Sequence, residues 1–234
     1  MNTILLALAL FAAQDEPLPF PVFERDPWGL AGPGSSITRL GVTAKVRSEE
    51  TITLKAVDKD SRTFTVSRPG KDDEEGAIKF VPFAESLISP EGGYKLSGKS
   101  NRQVAIGNRR VKALVREITP NGLALNVWRI TTADEMPGGI VDITWKSEDD
   151  KAKVDVTYTM KGMEPIKAAG QTLECARIDL TLTETRKKKR KVEGSYWLSE
   201  KVPGLLVRSR LRDTTDKVVT ETTMDVVKFE LKKP

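Results

Sequence analysis

Apolar and polar residues alternate along much of this chain, in short segments separated by turn-forming residues. Residues 51–56, 154–161 and 205–212 each place their more apolar side chains at every second position. Successive side chains of a β-strand point to opposite faces, so this period of two predicts strands with one buried and one exposed face. The sequence therefore predicts an all-β fold made of antiparallel strands.

Turn residues divide the alternating segments into hairpins. The Pro-Asn-Gly sequence at 120–122 lies between two such segments, and asparagine or glycine at positive φ closes a tight hairpin. The polar stretches 58–61, 147–150 and 213–216 are predicted to be further turns. Only residues 82–90 have the composition of a short helix.

The second half of the chain repeats a glycine, a tryptophan and a Pro-Gly turn. The first copy has Gly107, Trp128 and Pro137-Gly138, and the second has Gly170, Trp197 and Pro203-Gly204. Duplicated units that bury one face and leave strand edges free extend a single sheet. We expect a large curved antiparallel sheet or partial barrel built from repeated hairpin units. It would have an N-terminal strand region at 37–103 and units at 104–163 and 164–234, in one continuous domain.

The N-terminal residues have the pattern of an export signal. An uncharged apolar run, Ile4 to Ala13, is followed by the polar sequence Gln-Asp-Glu at 14–16, and the run is too short to span a bilayer. We expect residues 1–13 to be a signal peptide and residues 14–36 to be a proline-rich lead. The mature chain would be periplasmic or secreted, without a transmembrane span. The alternative is a misassigned start or a buried N-terminal segment.

The chain has no histidine and one cysteine, Cys175. Serine and cysteine triads use an imidazole as their base and the usual zinc sites use it as a ligand, so these classes of site are excluded. The acidic stretches 72–75 and 148–150 lack the ligand spacing of a calcium loop. Cys175 is expected to be a buried free thiol, with an intermolecular disulfide or a reactive thiol as the alternative. No catalytic residue, metal or cofactor is predicted.

Residues 93–100 match the phosphate-loop pattern Gly-x-x-x-x-Gly-Lys-Ser. A working phosphate loop joins a buried strand to a helix, whereas residues 101–107 are typical of a strand and a turn. We interpret the match as chance and predict no nucleotide site.

Six consecutive cations form the strongest charge feature of the chain. This basic run consists of Arg186, Lys187, Lys188, Lys189, Arg190 and Lys191. Alignment of the two units places the run at a hairpin tip in water, where it can contact an anionic envelope surface such as lipid headgroups. A solvated tip with no dedicated partner is the alternative. Nucleic acid is disfavoured because no aromatic residues are interleaved for base stacking.

Three tryptophans are candidates for a wall that contacts a hydrophobic ligand: Trp128, Trp145 and Trp197. Trp128 and Trp197 occupy equivalent positions in the two units, which predicts that they pack into the same kind of slot between strands. The alternative is that all three belong to the core.

The second unit resembles a segment of uncharacterised exported bacterial proteins, those of planctomycete type especially. The residues that carry the resemblance are Gly170-x-x-x-x-Cys175 and the sequence Tyr196 to Gly204, which reads Tyr-Trp-Leu-Ser-Glu-Lys-Val-Pro-Gly. The layout is distantly similar to outer-membrane lipoprotein carriers of the half-barrel type. The resemblance covers residues 104–212, and the first unit departs from it with Val111 or Lys112 near the cysteine position. It implies an open sheet whose concave face holds an acyl chain, and it transfers no catalytic residue.

Three functions from different classes follow from these patterns. The first is a non-enzymatic exported protein that binds a hydrophobic or amphiphilic envelope component, or another envelope protein, on a curved sheet. The second is a structural or protein-interaction module of the envelope that uses its strand edges or the basic run. The third is a carbohydrate-active hydrolase, which requires carboxylates about 5–10 Å apart, and the sequence nominates no such pair.

Overall fold

The computed structural model describes residues 22–59, 61–88, 94–120, 127–148, 153–185 and 189–234. Within these ranges the chain forms thirteen β-strands and one short helix. The strands before the helix are β1 (Ser36–Thr43), β2 (Val46–Val57), β3 (Ser61–Ser67) and β4 (Glu74–Lys79), and the helix is α1 (Phe83–Ile88). The strands after it are β5 (Tyr94–Ile106), β6 (Arg109–Pro120), β7 (Trp128–Thr132), β8 (Ile140–Glu148), β9 (Lys153–Ala168), β10 (Gln171–Thr185), β11 (Lys189–Leu198), β12 (Leu206–Thr215) and β13 (Val218–Glu230).

All thirteen described strands belong to one antiparallel sheet. Their order is β4-β3-β2-β1-β13-β12-β11-β10-β9-β8-β7-β6-β5, so nearly every strand pairs with its neighbours in sequence. The exception is the pairing of β1 with β13, which joins the beginning of the chain to its end. Strands β4 and β5 are therefore the two edges of an open sheet.

The sheet is strongly curved. If it were flat, about 58 Å would separate β4 from β5 at roughly 4.8 Å per strand. Residues 80–93 join these two edges and include α1, so they reach about 45 Å at most. The turn between β5 and β6 also reaches β9, four strands away, because a Cβ atom added at Gly107 would lie 3.7 Å from the Cα atom of Gly162.

Two hydrophobic cores are formed by the sheet. The first core is built mainly from β6 to β11, together with Ala84 of α1. The second core is built mainly from β1 to β3, from β12 and β13, and from the ends of β9 and β10 that adjoin the turn between them, together with Trp28. Fully buried members of the first core are Ile118, Ile130, Ile140, Ile143, Tyr196 and Leu198, and those of the second are Ile37, Leu54, Leu173, Cys175 and Val207.

The two cores lie on opposite faces of β10 and β11. In β10 the consecutive residues Cys175 and Ala176 are both 0% exposed, and Cys175 belongs to the second core while Ala176 belongs to the first. In β11 Tyr196 lies in the first core and Trp197 packs against the second. Adjacent side chains of a strand point in opposite directions, so the middle of the sheet is covered on both sides.

Residues 22–34 lie across the turns at one end of the sheet. The amide of Glu24 donates a hydrogen bond of 2.8 Å to the carbonyl oxygen of Gly138, in the turn between β7 and β8. The amide of Gly204, in the turn between β11 and β12, donates one of 3.1 Å to the carbonyl oxygen of Pro27. The part of the proline-rich lead that is described is therefore an ordered strap over both Pro-Gly turns.

The structure confirms the predicted all-β curved antiparallel sheet and the short helix within 82–90. The apolar side chains of residues 154–161 are buried at every second position, as the alternation predicts. The turn predicted at 213–216 is displaced, since β12 continues to Thr215 and the turn is at Asp216-Lys217. The physical reason is Asp213, which is buried and accepts two hydrogen bonds from Arg190 in the neighbouring strand.

Some predictions concern residues that are not described. The export signal at 1–13 lies outside the described residues, and so do Asn121 and Gly122 of the predicted hairpin turn, although Pro120 ends β6. The predicted unit boundaries fall inside β5 and β9, and the sheet continues through both of them. No helix in the described ranges is long and apolar enough to cross a membrane.

Candidate functional site

Trp128 and Trp145 form a stacked pair on neighbouring strands. Trp128 is the first residue of β7, and the antiparallel register sets it directly opposite Trp145 of β8. The ring centroids are 4.7 Å apart and the ring planes differ by 7°. Directly opposite residues of an antiparallel pair have their Cβ atoms about 5 Å apart, which brings the two indoles into this parallel contact.

Helix α1 covers the tryptophan pair on one side. The ring of Phe83 meets Trp128 edge-on, with 5.4 Å between centroids and 76° between planes. The strap holds the helix in this position. The amide of Phe83 donates to the carbonyl oxygen of Phe23 at 3.0 Å, and the amide of Ala84 donates to Oε1 of Glu24 at 2.7 Å.

Within the described ranges, neither indole N–H group of the pair has a hydrogen-bond partner. The Nε1 atoms of Trp128 and Trp145 are both buried, and no acceptor among the described residues contacts them. A buried donor without an acceptor costs about 1–3 kcal/mol relative to one that is satisfied. Two such donors on stacked rings are therefore available to an acceptor that the described residues do not supply.

The surroundings of the pair are apolar. Ile118 of β6 lies opposite Trp128, and Val156 of β9 lies opposite Trp145. Both tryptophans pack against the first core. Further along this core, burial raises the pKa values of Tyr158 and Tyr196 well above their ordinary range, as expected in a region of low polarity. We call Trp128, Trp145 and Phe83, with the adjoining face of the first core, the tryptophan site.

The tryptophan site and the described part of the basic run, Lys189 to Lys191, lie at the same end of the sheet. In an antiparallel meander, every second connection lies at the same end. The connection that leads into Trp128, the one between β8 and β9, and the one between β10 and β11 share this end. Lys189, Arg190 and Lys191 of the basic run begin β11 at this end.

Half of the basic run lies within the described residues, and two of those three cations are paired. Arg190 binds Asp213 at 2.8 Å, and each of the two side chains is only 10% exposed. Lys191 pairs with Glu193 at 2.7 Å on the surface. The side chain of Lys189 is exposed, and its amide donates to Asp216. Arg186, Lys187 and Lys188 lie outside the described residues.

Trp197 does not join the other two tryptophans. It packs against the second core, its Nε1–H donates to the carboxylate of Glu164, and the guanidinium of Arg177 lies 5.7 Å from its ring centroid. Trp128 and Trp197 thus occupy different environments despite their equivalent positions in the sequence. The side chain of Trp128 points to the face of the sheet that the first core covers. In β11 the side chain of Tyr196 points to that face, so the next residue, Trp197, points to the opposite face.

A ladder of polar side chains crosses β8 to β11. Thr159 donates a hydrogen bond of 3.0 Å to Asp142, whose pKa is raised by burial. Asp179 accepts from Ser195 at 2.7 Å and pairs with Arg177 at 2.8 Å. Both carboxylates are therefore engaged within the sheet, which favours a structural role over the acid and base of a hydrolase. These polar residues alternate with buried apolar residues along their strands, so the sequence alone indicates that they share one face of the sheet.

Three further predictions concern chemistry elsewhere in the chain. Cys175 is a free, fully buried thiol, as expected, and burial raises its pKa to about 11. Tyr94 to Ser100 of the phosphate-loop pattern lie in strand β5 rather than in a loop before a helix, while Gly93 lies outside the described residues. Within the part of the chain that is described, no group of three or more acidic or cysteine side chains is arranged to hold a metal ion.

No protein-family profile matches this sequence, and no curated protein matches it. Solved structures that resemble the chain include a candidate lipoprotein from Parabacteroides distasonis, with 13% identity, a TM-score of 0.42, and coverage of 91% of this chain and 100% of that chain. A candidate exported protein with a YmcC-like fold from Bacteroides fragilis has 11% identity, a TM-score of 0.41, and coverage of 90% and 100%. The hypothetical lipoprotein YmcC from Escherichia coli has 12% identity, a TM-score of 0.36, and coverage of 83% and 84%. Identities and TM-scores this low carry no inference about function.

Proposed function

We propose that this chain is an exported, non-enzymatic protein that binds a hydrophobic or amphiphilic envelope molecule at the tryptophan site. The observation that carries the proposal is the pair of buried indole N–H groups of Trp128 and Trp145, for which the described part of the chain supplies no acceptor. An amphiphile offers what the site lacks: oxygen atoms that accept both hydrogen bonds, attached to an apolar chain that packs against the surrounding side chains.

The charge at this end of the sheet supports an anionic headgroup. The basic run begins at the end of β10, and Lys189 is exposed there without an ion-pair partner among the described residues. A cluster of lysines near a lipid surface attracts anionic headgroups by roughly 1 kcal/mol for each charge. The tryptophan site would then bind the acyl chain of the amphiphile, and the basic run would bind its headgroup.

The test has two steps. First, native mass spectrometry of the protein purified from a bacterial periplasm should detect a co-purified amphiphile, released on denaturation. Second, titration with a fatty acid should quench the fluorescence of the wild-type protein, and Trp128→Phe and Trp145→Phe should each weaken binding about tenfold or more, because each removes one donor and keeps an aromatic ring.

Trp197→Phe is the matched control, since this residue packs against the second core and should leave binding unchanged. A ligand-free mass together with fatty-acid affinities that are equal in all four proteins would overturn the proposal.

The export step is tested separately. Expression with the native N-terminus in a bacterial host should yield a periplasmic protein whose sequence begins at Gln14. A protein that keeps Met1 and stays in the cytoplasm would contradict export without affecting the ligand test.

An envelope-protein partner is the second candidate function, and the free edge of β5 favours it. This edge strand has 13 residues, and β6 is its one partner among the described strands. An extended peptide can add itself to such an edge through backbone hydrogen bonds. Ala105 of β5 lies opposite Arg110, one position before the Ile106–Arg109 pair that closes the two-residue turn, so its amide points away from β6 towards the free edge. Replacing Ala105 with proline would disrupt partner binding at this edge. Fatty-acid affinity that survives this change, with a lost protein partner, would favour the second function.

A further inference from the structure

Arg39 lies in β1 beside the second core and apart from the tryptophan site. Its guanidinium is next to the turn between β11 and β12, since a Cβ atom added at Gly204 would lie 3.1 Å from Nη2 of Arg39 and 3.2 Å from the indole of Trp28. The absence of a side chain at Gly204 is what leaves room for both groups. Arg39 retains partial exposure to solvent.

The guanidinium of Arg39 makes no hydrogen bond to any described residue. Its Nε atom is buried and finds no acceptor in the described part of the chain. Other partly buried arginines of the sheet have carboxylate partners: Arg190 binds Asp213, and Arg208 and Arg210 both bind Asp225. Arginine has five N–H donors in a planar fork, so an arginine without an acceptor in such a position is unusual.

The neighbouring carboxylate is engaged elsewhere. Glu50 of β2 lies opposite Arg39 in the register and is only 2% exposed. It forms an ion pair with Arg68, at 3.6 Å, and none with Arg39. Glu50 attracts Arg39 at longer range, while burial lowers the pKa of Arg39. Arg68 also binds the more exposed Glu74 at 3.1 Å. Arg39 is therefore the guanidinium of this cluster that has no contact partner among the described residues, although Glu50 lies opposite it.

We propose that Arg39 is the anchor of a second binding site, which takes an oxyanion group, either a carboxylate or a phosphate. Two oxygens of such a group match the paired N–H donors of a guanidinium, and charge-assisted hydrogen bonds of this kind are about twice as strong as neutral ones. Trp28 and Gly204 form the wall of the site. The site involves the second core, so it is independent of the proposed function at the tryptophan site.

The test titrates the full mature protein with three probes at constant ionic strength: inorganic phosphate, acetate, and a short-chain phosphatidic acid below its micellar concentration. NMR spectra follow the Gly204 amide and the Trp28 indole N–H in the wild-type protein. Saturable shifts of both signals with phosphate or acetate are expected. Shifts that appear only with the phosphatidic acid would assign the oxyanion to a lipid headgroup.

Variants identify the anchor. Arg39→Gln should weaken binding of the active probe about tenfold or more, and Arg39→Lys, which keeps the charge and loses the fork, should weaken it by a smaller factor. Arg177→Gln is the control, because Arg177 is already paired with Asp179. No shift of either wild-type signal with any probe would overturn the proposal, and so would unchanged affinity in either Arg39 variant. The wild-type titration decides the outcome if Arg39→Gln does not fold.

Discussion

Trp28 lies directly against Gly204, so closely that a Cβ atom at position 204 would be 3.2 Å from Cε2 of Trp28. Phe23 has the same relationship to Gly138, where an added Cβ atom would lie 2.7 Å from the phenyl ring. Two aromatic residues of the strap thus pack on the glycines of two Pro-Gly turns. The strap also forms hydrogen bonds with α1, which packs on Trp128. These contacts therefore connect the turns at one end of the sheet to the tryptophan site.

Replacing Gly204 with alanine should destabilise the protein by about 3 kcal/mol, because the methyl group adds a clash with Trp28 to the strain of positive φ. Gly170→Ala is the matched control. Gly170 has nearly the same φ, +75° against +74°, but nothing lies within 4 Å of an added Cβ atom, so we expect a loss of about 1 kcal/mol. Urea unfolding measures both, and equal losses would contradict the docking of Trp28.

Glu24→Ala should loosen α1 and lower the free energy of unfolding by about 3 kcal/mol. Glu24 is 6% exposed, pairs with Arg116 at 2.7 Å and accepts the amide hydrogen bond of Ala84. Glu200→Ala removes the exposed ion pair with Arg25 and should cost less than about 0.5 kcal/mol. Hydrogen exchange of the Ala84 amide should accelerate in Glu24→Ala alone, and unchanged exchange would show that Glu24 does not hold the helix.

Cys175 should be unreactive towards thiol reagents at pH 8 in the folded protein and reactive once the chain is unfolded in urea. Its pKa of about 11 in the folded state is above the value of about 8.5 for a free thiol, so the unfolded chain loses its proton first. The contribution of this group to stability is therefore complete below about pH 8.5 and is lost as the pH rises towards 11. Cys175→Ala should lose this component of the pH dependence. Fast labelling of the native protein would refute the burial of the thiol.

Replacing Lys187, Lys188 and Lys189 together with glutamine should weaken binding to vesicles that contain anionic lipid, by roughly 100-fold at low salt. The control is a second triple variant with the same change in charge, Lys112, Lys167 and Lys201 to glutamine, at exposed positions towards the other end of the sheet. Co-sedimentation with vesicles measures both. Equal affinities would mean that net charge, rather than the basic run, controls binding.

Several features were predictable because they depend on neighbouring residues in the sequence. The alternation in 154–161 identified the buried face of β9, the composition of 82–90 identified α1, and the unpaired Cys175 was expected to be buried. Each of these depends on the side-chain period of a strand or on local composition. The duplication of the two units remains a prediction.

The candidate sites were only partly predictable. The sequence nominated Trp128, Trp145 and Trp197 as one wall, but it carried no information on the register that opposes the first two or on the face that Trp197 occupies. It also placed Arg190 with the other cations at a hairpin tip in water, whereas Arg190 is largely buried and binds Asp213 of the adjacent strand. Arg39 was not nominated, because a single arginine in an alternating segment has no local signature.

By itself, the sequence determined that this protein is made of antiparallel strands and which side of most strands is buried, since alternation is a property of consecutive residues. The tertiary structure decided which core each buried side enters, which side chains meet across strands, and which polar groups lack partners. These depend on the curvature of the sheet and on the strand register, and both result from contacts between residues far apart in the chain, such as β1 with β13 and the strap with its two turns.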